Sequence, residues 1–325
     1  MTADAAVLGT WQGTDVRLGA VLEALDELRH ESEKRATRTS VMNLVAVARG
    51  REEADQACDA THAFGLRHPT RTVVLLKEPA GEGIDAEITI HGVTAGSLNV
   101  WSEDVVLTVH GPATEHLLSL VEPLTLADLP FAVWYVASLP PPGDQLAATC
   151  DAIIVDSKVL GDERAFADLR ALQRQSTVID LSWLRLLPWR QLLASLFDGH
   201  DFRPFARGVR SVEVHGKAGP RHLLAGWLVD RLGLPRSAVH LSEARHVTMR
   251  LIAEADGRRG EFVVSRDEGE RLVRASATVA GGPSHTDVMS LPETGLGWSL
   301  SRALADLAAD RTYEHALHAA LGFLR

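Results

Sequence analysis

Cysteine is nearly missing. Cys58 and Cys150 are the two in 325 residues, they lie far apart, and no CxxC occurs. A disulfide framework or a cysteine-ligated structural zinc is therefore not expected, and a reducing compartment is the simpler reading. Excess positive charge is missing too. Lysine and arginine number 33 against 43 aspartates and glutamates, for a net charge of −10. That argues against a broad nucleic-acid or anionic-membrane surface, since both need clustered cations. It leaves room for a small basic pocket that takes a phosphorylated ligand. No apolar run approaches the roughly 20 residues that span a bilayer. Met1 to Gly13 has no basic region followed by an apolar stretch, so no signal peptide is expected and the cytoplasm is the expected location.

Enzyme signatures are also scarce. There is no GxGxxG, GxSxG or HExxH. Gly216-Lys217 has Ser211 where a phosphate-binding loop needs its first glycine. Gly295-Leu296-Gly297 is the nearest thing to a phosphate cradle, and a plain flexible helix entry explains it as well. His315 and His318 lie one helical turn apart, but no carboxylate or cysteine at matching spacing completes a ligand set, so no metal is expected. Ser284, His285 and Asp287 have the residue types of a nucleophilic triad. Placed together on a loop they read as a surface turn.

What is present is ordinary globular composition, 46% hydrophobic and 23% charged, enough to bury a large core. Length favours two domains. Val16 to Arg29 has helical spacing, with Thr14 or Asp15 as cap. Ser40 to Ala48 is a buried strand, Glu52 to Phe64 a helix and Arg71 to Leu76 the next strand. Strands follow at 86–91, 104–110 and 129–137, with a short helix at 114–121. A strand over 152–155, a helix over 163–175, a strand over 177–181 and a helix entered at Pro188 complete the first part.

After Asp198 the texture changes. Gly199 to Gly208 reads as a linker, followed by a strand at 209–214 and a helix at 221–232. Segments 238–253, 261–266 and 271–278 form an antiparallel meander, with turns at Asp256-Gly257 and 267–269. Residues 281–297 read as loop and 298–324 as one long helix. The expected fold is α/β, a mostly parallel N-terminal sheet with flanking helices over 1–203. A smaller C-terminal α+β domain with an antiparallel meander takes 204–325.

Two sets of residues carry functional expectations. Ligand and partner sites gather at the carboxyl ends of parallel strands. Asp156, Ser157, Asp180 and Ser182 would lie there, and a carboxylate base with nearby arginines would suit a sugar-phosphate-binding or isomerising enzyme. Trp183, Arg185, Trp189 and Arg190 follow at once, and tryptophan and arginine are the types most enriched at interface hot spots. Trp183 can equally be a core residue at a strand end. Segments 35–40 and 67–72, with Arg38 and Arg71, would sit at the opposite strand ends. They read either as arginine forks for an anion or partner, or as solvated loop charge.

Several motifs recur together and in order: Arg38-Thr39-Ser40-Val41-Met42-Asn43-Leu44-Val45, His68-Pro69-Thr70-Arg71-Thr72, Ser102-Glu103-Asp104, Leu126-Ala127-Asp128-Leu129-Pro130 through Trp134, Ile154-Val155-Asp156-Ser157, and Asp180-Leu181-Ser182-Trp183 through Pro188-Trp189-Arg190. In these the chain resembles the glucose-6-phosphate dehydrogenase assembly protein family, OpcA, most densely before Asp198. The resemblance implies a bacterial cytosolic protein that binds glucose-6-phosphate dehydrogenase, promotes its assembly and raises its activity without being a catalyst or carrying a cofactor. Trp183, Arg185, Trp189 and Arg190, with Arg38 and Arg71, become candidates for contacting that partner, and a small sugar phosphate a candidate effector. Thiol regulation of the kind suggested for some relatives is not carried over, because neither Cys58 nor Cys150 has an electropositive setting in the sequence.

Overall fold

A computed structural model describes residues 5–33, 37–38, 40–62, 70–95, 98–160, 163–266, 271–291 and 295–324. The expected His68-Pro69 motif, Arg35, Thr39 and the turn at 267–269 lie outside these. By its contacts the chain forms two compact units, neither of them continuous. The first holds residues 1–155, 176–179 and 295–308, and the second holds 156–175, 180–294 and 309–325. The expected boundary at 203 falls inside the second unit.

The first unit is built on a nine-stranded sheet. Its strands are β1 (Ala5–Gly13), β2 (Thr37–Arg38), β3 (Met42–Ala48), β4 (Thr70–Glu78), β5 (Ile84–Ala95), β6 (Leu98–His110), β7 (Phe131–Tyr135), β8 (Ala152–Val155) and β9 (Val178–Asp180), in the order β1-β5-β6-β4-β3-β7-β8-β9 with β2 against β6. Pairing is parallel from β6 through β4, β3 and β7 to β8, as the sequence predicts. The β5–β6 hairpin and β1 add an antiparallel edge. Every residue of β3 is buried, which explains its unbroken apolar run. Helices α1 (Leu18–Glu33), α2 (Arg51–His62), α3 (Leu117–Val121), α4 (Gln145–Thr149) and α9 (Leu296–Ala305) belong to this unit. Asn43 ties β3 to the loop before β7: its amide nitrogen donates to Leu126 O at 2.8 Å, and its oxygen accepts from Leu126 N at 2.9 Å.

The second unit has a six-stranded sheet of β10 (Val209–His215), β11 (Val239–Ser242), β12 (Thr248–Ala255), β13 (Arg258–Arg266), β14 (Leu272–Val279) and β15 (Ser284–Ser290), ordered β11-β10-β12-β13-β14-β15. Among the described residues of this sheet, only β10 and β11 pair in parallel. Alternate residues such as Val212, Leu251, Phe262 and Ala275 are buried. Helices α7 (Leu187–Asp198) and α8 (Ala218–Leu232) contact the sheet, as period-two strands with one covered face require. Arg250 on the other face bonds Glu261. The turn at Asp256-Gly257 has positive φ at both positions, the two-residue hairpin type that this pair favours. Helices α5 (Glu163–Gln173), α6 (Leu181–Arg185) and α10 (Arg311–Ala320) complete the unit.

Three expectations fail for identifiable reasons. The supposed linker at 199–208 buries Phe202 and Phe205 against Phe262 of β13 and ends in a 3-10 turn at Arg203–Arg207. Two aromatic anchors outweigh its Gly/Pro texture. The supposed loop at 281–297 contains β15, a polar edge strand without the apolar alternation that marks a strand. The supposed single helix over 298–324 is two. Asp306 leaves the helical region, and Asp310 caps α10 by accepting from Thr312 N and Tyr313 N.

Candidate functional site

The four polar residues expected at the strand ends do converge, all of them in the second unit. Asp180 ends β9 and caps α6. Its Oδ1 accepts from Ser182 N at 2.9 Å and Ser157 N at 3.1 Å, and its Oδ2 accepts from the Tyr313 hydroxyl at 3.4 Å. Asp156 follows β8. Its Oδ1 accepts from the Ser182 hydroxyl at 2.6 Å, Lys158 N at 3.1 Å and Arg185 Nη2 at 2.5 Å. Ser182 Oγ in turn accepts from Lys158 N at 2.9 Å. Asp156, Ser157, Asp180 and Ser182 are all buried. Burial, and then the charge of Asp156, pushes Asp180 up to about 6. These carboxylates hold backbone and cations in place; their oxygens face protein donors, so the arrangement is a scaffold rather than an exposed acid–base pair.

The tryptophan–arginine segment lies largely inside. Trp183 is 2% exposed and donates from Nε1 to Asp310 Oδ2 at 2.7 Å. The Arg190 guanidinium stacks 3.5 Å from the Trp183 ring centroid and donates to Trp183 O, and its burial lowers its pKa to about 10. Trp189 is 7% exposed and donates to Val247 O at 3.3 Å. The expectation of exposed tryptophan hot spots is thus corrected: both indoles are core residues that tie α6 and α7 to their neighbours. Arg71 in the first unit is buried too, 2.5 Å from Glu103, which also pairs with Arg29. Arg38 contributes backbone to β2, and its side chain lies outside the described residues.

Beside the scaffold is a cavity of about 360 Å³ within the second unit. Its lining includes Lys158, Ser182, Arg185, Lys217, Arg245 and Arg266, with Leu186, Trp189 and Val247 as apolar wall. Burial, then the neighbouring Arg185 charge, lowers the pKa of Lys158. Sequence reasoning singled out Ser182, Arg185 and Trp189 and noted Lys217 separately, but it did not bring them together with Lys158, Arg245 and Arg266, because residues spread from 158 to 266 carry no spacing signal.

A second cluster was also missed. In the first unit His62 Nε2 lies 2.5 Å from Asp104 Oδ2, and His91 Nε2 lies 3.3 Å from the same oxygen. One ligand atom from each lies within 4.8 Å of the others, so the set could hold a cation. Ligands of a tetrahedral zinc stand about 3.3 Å apart, so the His62–Asp104 contact would have to open by roughly 0.8 Å. As it stands it is a short hydrogen bond. The Asp104 bond raises the pKa of His62. For Asp104, burial pushes upward but the hydrogen bonds from both histidines prevail and hold it below the usual range. The two thiols, Cys58 and Cys150, are pushed up to about 12 by burial. His315 lies 3.5 Å from Asp230, and His285 shares β15 with Asp287 at 3.0 Å.

These features define a class: a two-unit chain with a parallel-centred α/β sheet and an α+β sheet, whose strand-end carboxylates are buried and hydrogen-bonded to protein donors. Residues 44–174 match the family profile described as glucose-6-phosphate dehydrogenase subunit N-terminal domain, and residues 176–317 match the corresponding C-terminal domain. The chain belongs to this glucose-6-phosphate dehydrogenase subunit family, OpcA. It is 30% identical over 188 residues to the "Putative OxPP cycle protein OpcA" of Synechococcus elongatus, covering 53% of this chain and 42% of that protein. The protein of the same description from Nostoc punctiforme is 28% identical over 184 residues, covering 52% and 39%. The chain thus spans about two fifths of the length of these curated relatives. Among solved structures, an oxidoreductase from Sinorhizobium meliloti is similar at 12% identity and a TM-score of 0.40, covering 88% of this chain and 96% of that one. A likeness that distant says nothing about chemistry. No helix among the described residues is long and apolar enough to cross a membrane.

Proposed function

We infer that the chain is a non-catalytic assembly factor and activator of glucose-6-phosphate dehydrogenase, acting in the cytoplasm by protein–protein binding. The observation that carries this is the match of both halves of the chain to the two domains of a dehydrogenase-subunit family. A binding regulator shifts its partner's equilibrium only by its differential affinity for the partner's states. A tenfold shift takes about 1.4 kcal/mol, which a few good contacts supply. Of the residues expected at the contact, Arg185 and Arg190 are the ones in the second unit that keep part of their surface; the two indoles are withdrawn.

An isomerising enzyme built on Asp156 and Asp180 is the competing reading. It is disfavoured because both carboxylates are buried and engaged by protein donors. Coelution with the dehydrogenase, together with its assay at limiting glucose 6-phosphate, tests the proposal. A complex at micromolar protein and a raised rate are expected. No complex and unchanged kinetics would refute it, and turnover of a sugar phosphate by the chain alone would favour the enzyme.

A further inference from the structure

The cavity beside Ser182 carries more positive charge than its surroundings neutralise. Of its five lysines and arginines, Arg185 is paired with Asp156. The same Asp156 carboxylate also acts on the Lys158 charge. Among the described residues, no ion pair joins a carboxylate to Lys217, Arg245 or Arg266, and no acidic side chain lines the space. This is a local inversion of charge in a chain of net −10.

The backbone adds to it. The N-terminus of α8, a 15-residue helix, opens here, with Lys217 as its cap residue and Pro220 in its first turn. Lysine offers no acceptor to the free amides and its charge opposes the positive end of the helix dipole. An anion between them would remove both faults. Gly219 makes the placement possible. A Cβ there would stand 2.3 Å from Ser157 O, so only glycine lets α8 begin against the segment that carries Lys158.

We propose that this cavity binds a small metabolite bearing two or more phosphoryl groups. Among the described residues, five cations against the one Asp156 carboxylate leave about four positive charges, which exceed the charge of about −2 on one phosphate monoester and match that on two. A volume of about 360 Å³ is at the small end of metabolite sites, which run from roughly 300 to 1,000 Å³. It fits a sugar bisphosphate, and the Leu186, Trp189 and Val247 wall faces the ligand's carbon skeleton. The inference does not rest on the dehydrogenase reading and is tested without that partner.

Isothermal titration of the full chain with inorganic pyrophosphate and fructose 1,6-bisphosphate, against inorganic phosphate and glucose 6-phosphate, reads it directly. Both doubly phosphorylated probes should bind at least tenfold tighter than the single phosphates and weaken as salt rises. Lys217→Gln with Arg245→Gln should cost at least tenfold in affinity at an unchanged melting temperature. If that pair lowers the melting temperature, Arg266→Gln alone should still weaken binding. No binding of either doubly phosphorylated probe at millimolar concentration would overturn the proposal. So would equal affinity for glucose 6-phosphate, or variants that bind as tightly as the parent.

Discussion

Replacing Asp180 separates its two jobs, accepting backbone hydrogen bonds and carrying a charge. Its Oδ1 serves the Ser157 and Ser182 amides, and its environment is sealed at 1% exposure. Asp180→Ala strips both amides of their acceptor. At about 1–3 kcal/mol for each buried donor left unmade, the hydrogen-bond loss should be about 2–6 kcal/mol, superimposed on the same charge effect that the asparagine variant shows. Asp180→Asn keeps the accepting oxygen and removes the charge. With Asp180 raised from 3.8 to about 6 in the fold, its proton stabilises the native state fully below pH 4, and that contribution is lost as pH rises through 6. A shift of about two units is worth about 3 kcal/mol. The asparagine variant should therefore gain on the parent by up to about 3 kcal/mol between pH 4 and pH 8. Hydrogen exchange at the Ser157 and Ser182 amides reports the unit concerned, which matters because a two-unit chain need not unfold in one step. An asparagine variant that loses as much as alanine, or whose difference from the parent is flat in pH, would refute the reasoning.

Gly226 of α8 meets α10 so closely that a Cβ would stand 2.0 Å from Ala316 O. Gly226→Ala should cost about 1–3 kcal/mol or more in urea denaturation, and a neutral result would deny the close approach. Cys58 and Cys150, both pushed up to about 12, should label with a thiol reagent at pH 8 far more slowly in the native than in the unfolded chain. Native labelling as fast as in the unfolded chain would contradict their partial burial. The His62–Asp104 pair should stabilise the first unit most between the two ordinary pKa values. The lowered Asp104 loses its contribution as pH falls below 3.8, and the raised His62 loses its own as pH rises above 6.5. His62→Ala should flatten the alkaline limb, and a variant titrating like the parent would remove the pair from the account.

Much of the fold is legible because its signals are local. The solid apolar run of 42–48, the polar ends at Asp156 and Asp180 and the proline entering α7 each follow from a few neighbouring residues. What stays hidden depends on distant partners. β15 is a strand because β14 pairs with it, although Ser284 to Ser290 has no apolar face. Phe202 and Phe205 become core only once Phe262 is beside them. The strand-end set could be located from sequence. That its members would serve as a buried scaffold, and that Trp183 would turn inward to Asp310, required the 127-residue contact itself. The cationic cavity and the His62, His91 and Asp104 cluster likewise unite side chains that no spacing rule connects.

The central claim is that this chain works through the surface it offers to another enzyme. Glucose-6-phosphate dehydrogenase assayed at limiting substrate, with the chain titrated from zero to a molar excess, tests it most directly. A saturable rise in rate, ending where a coeluting complex is complete, is the predicted result. A rate unchanged across the titration, with the two proteins eluting apart, would contradict it.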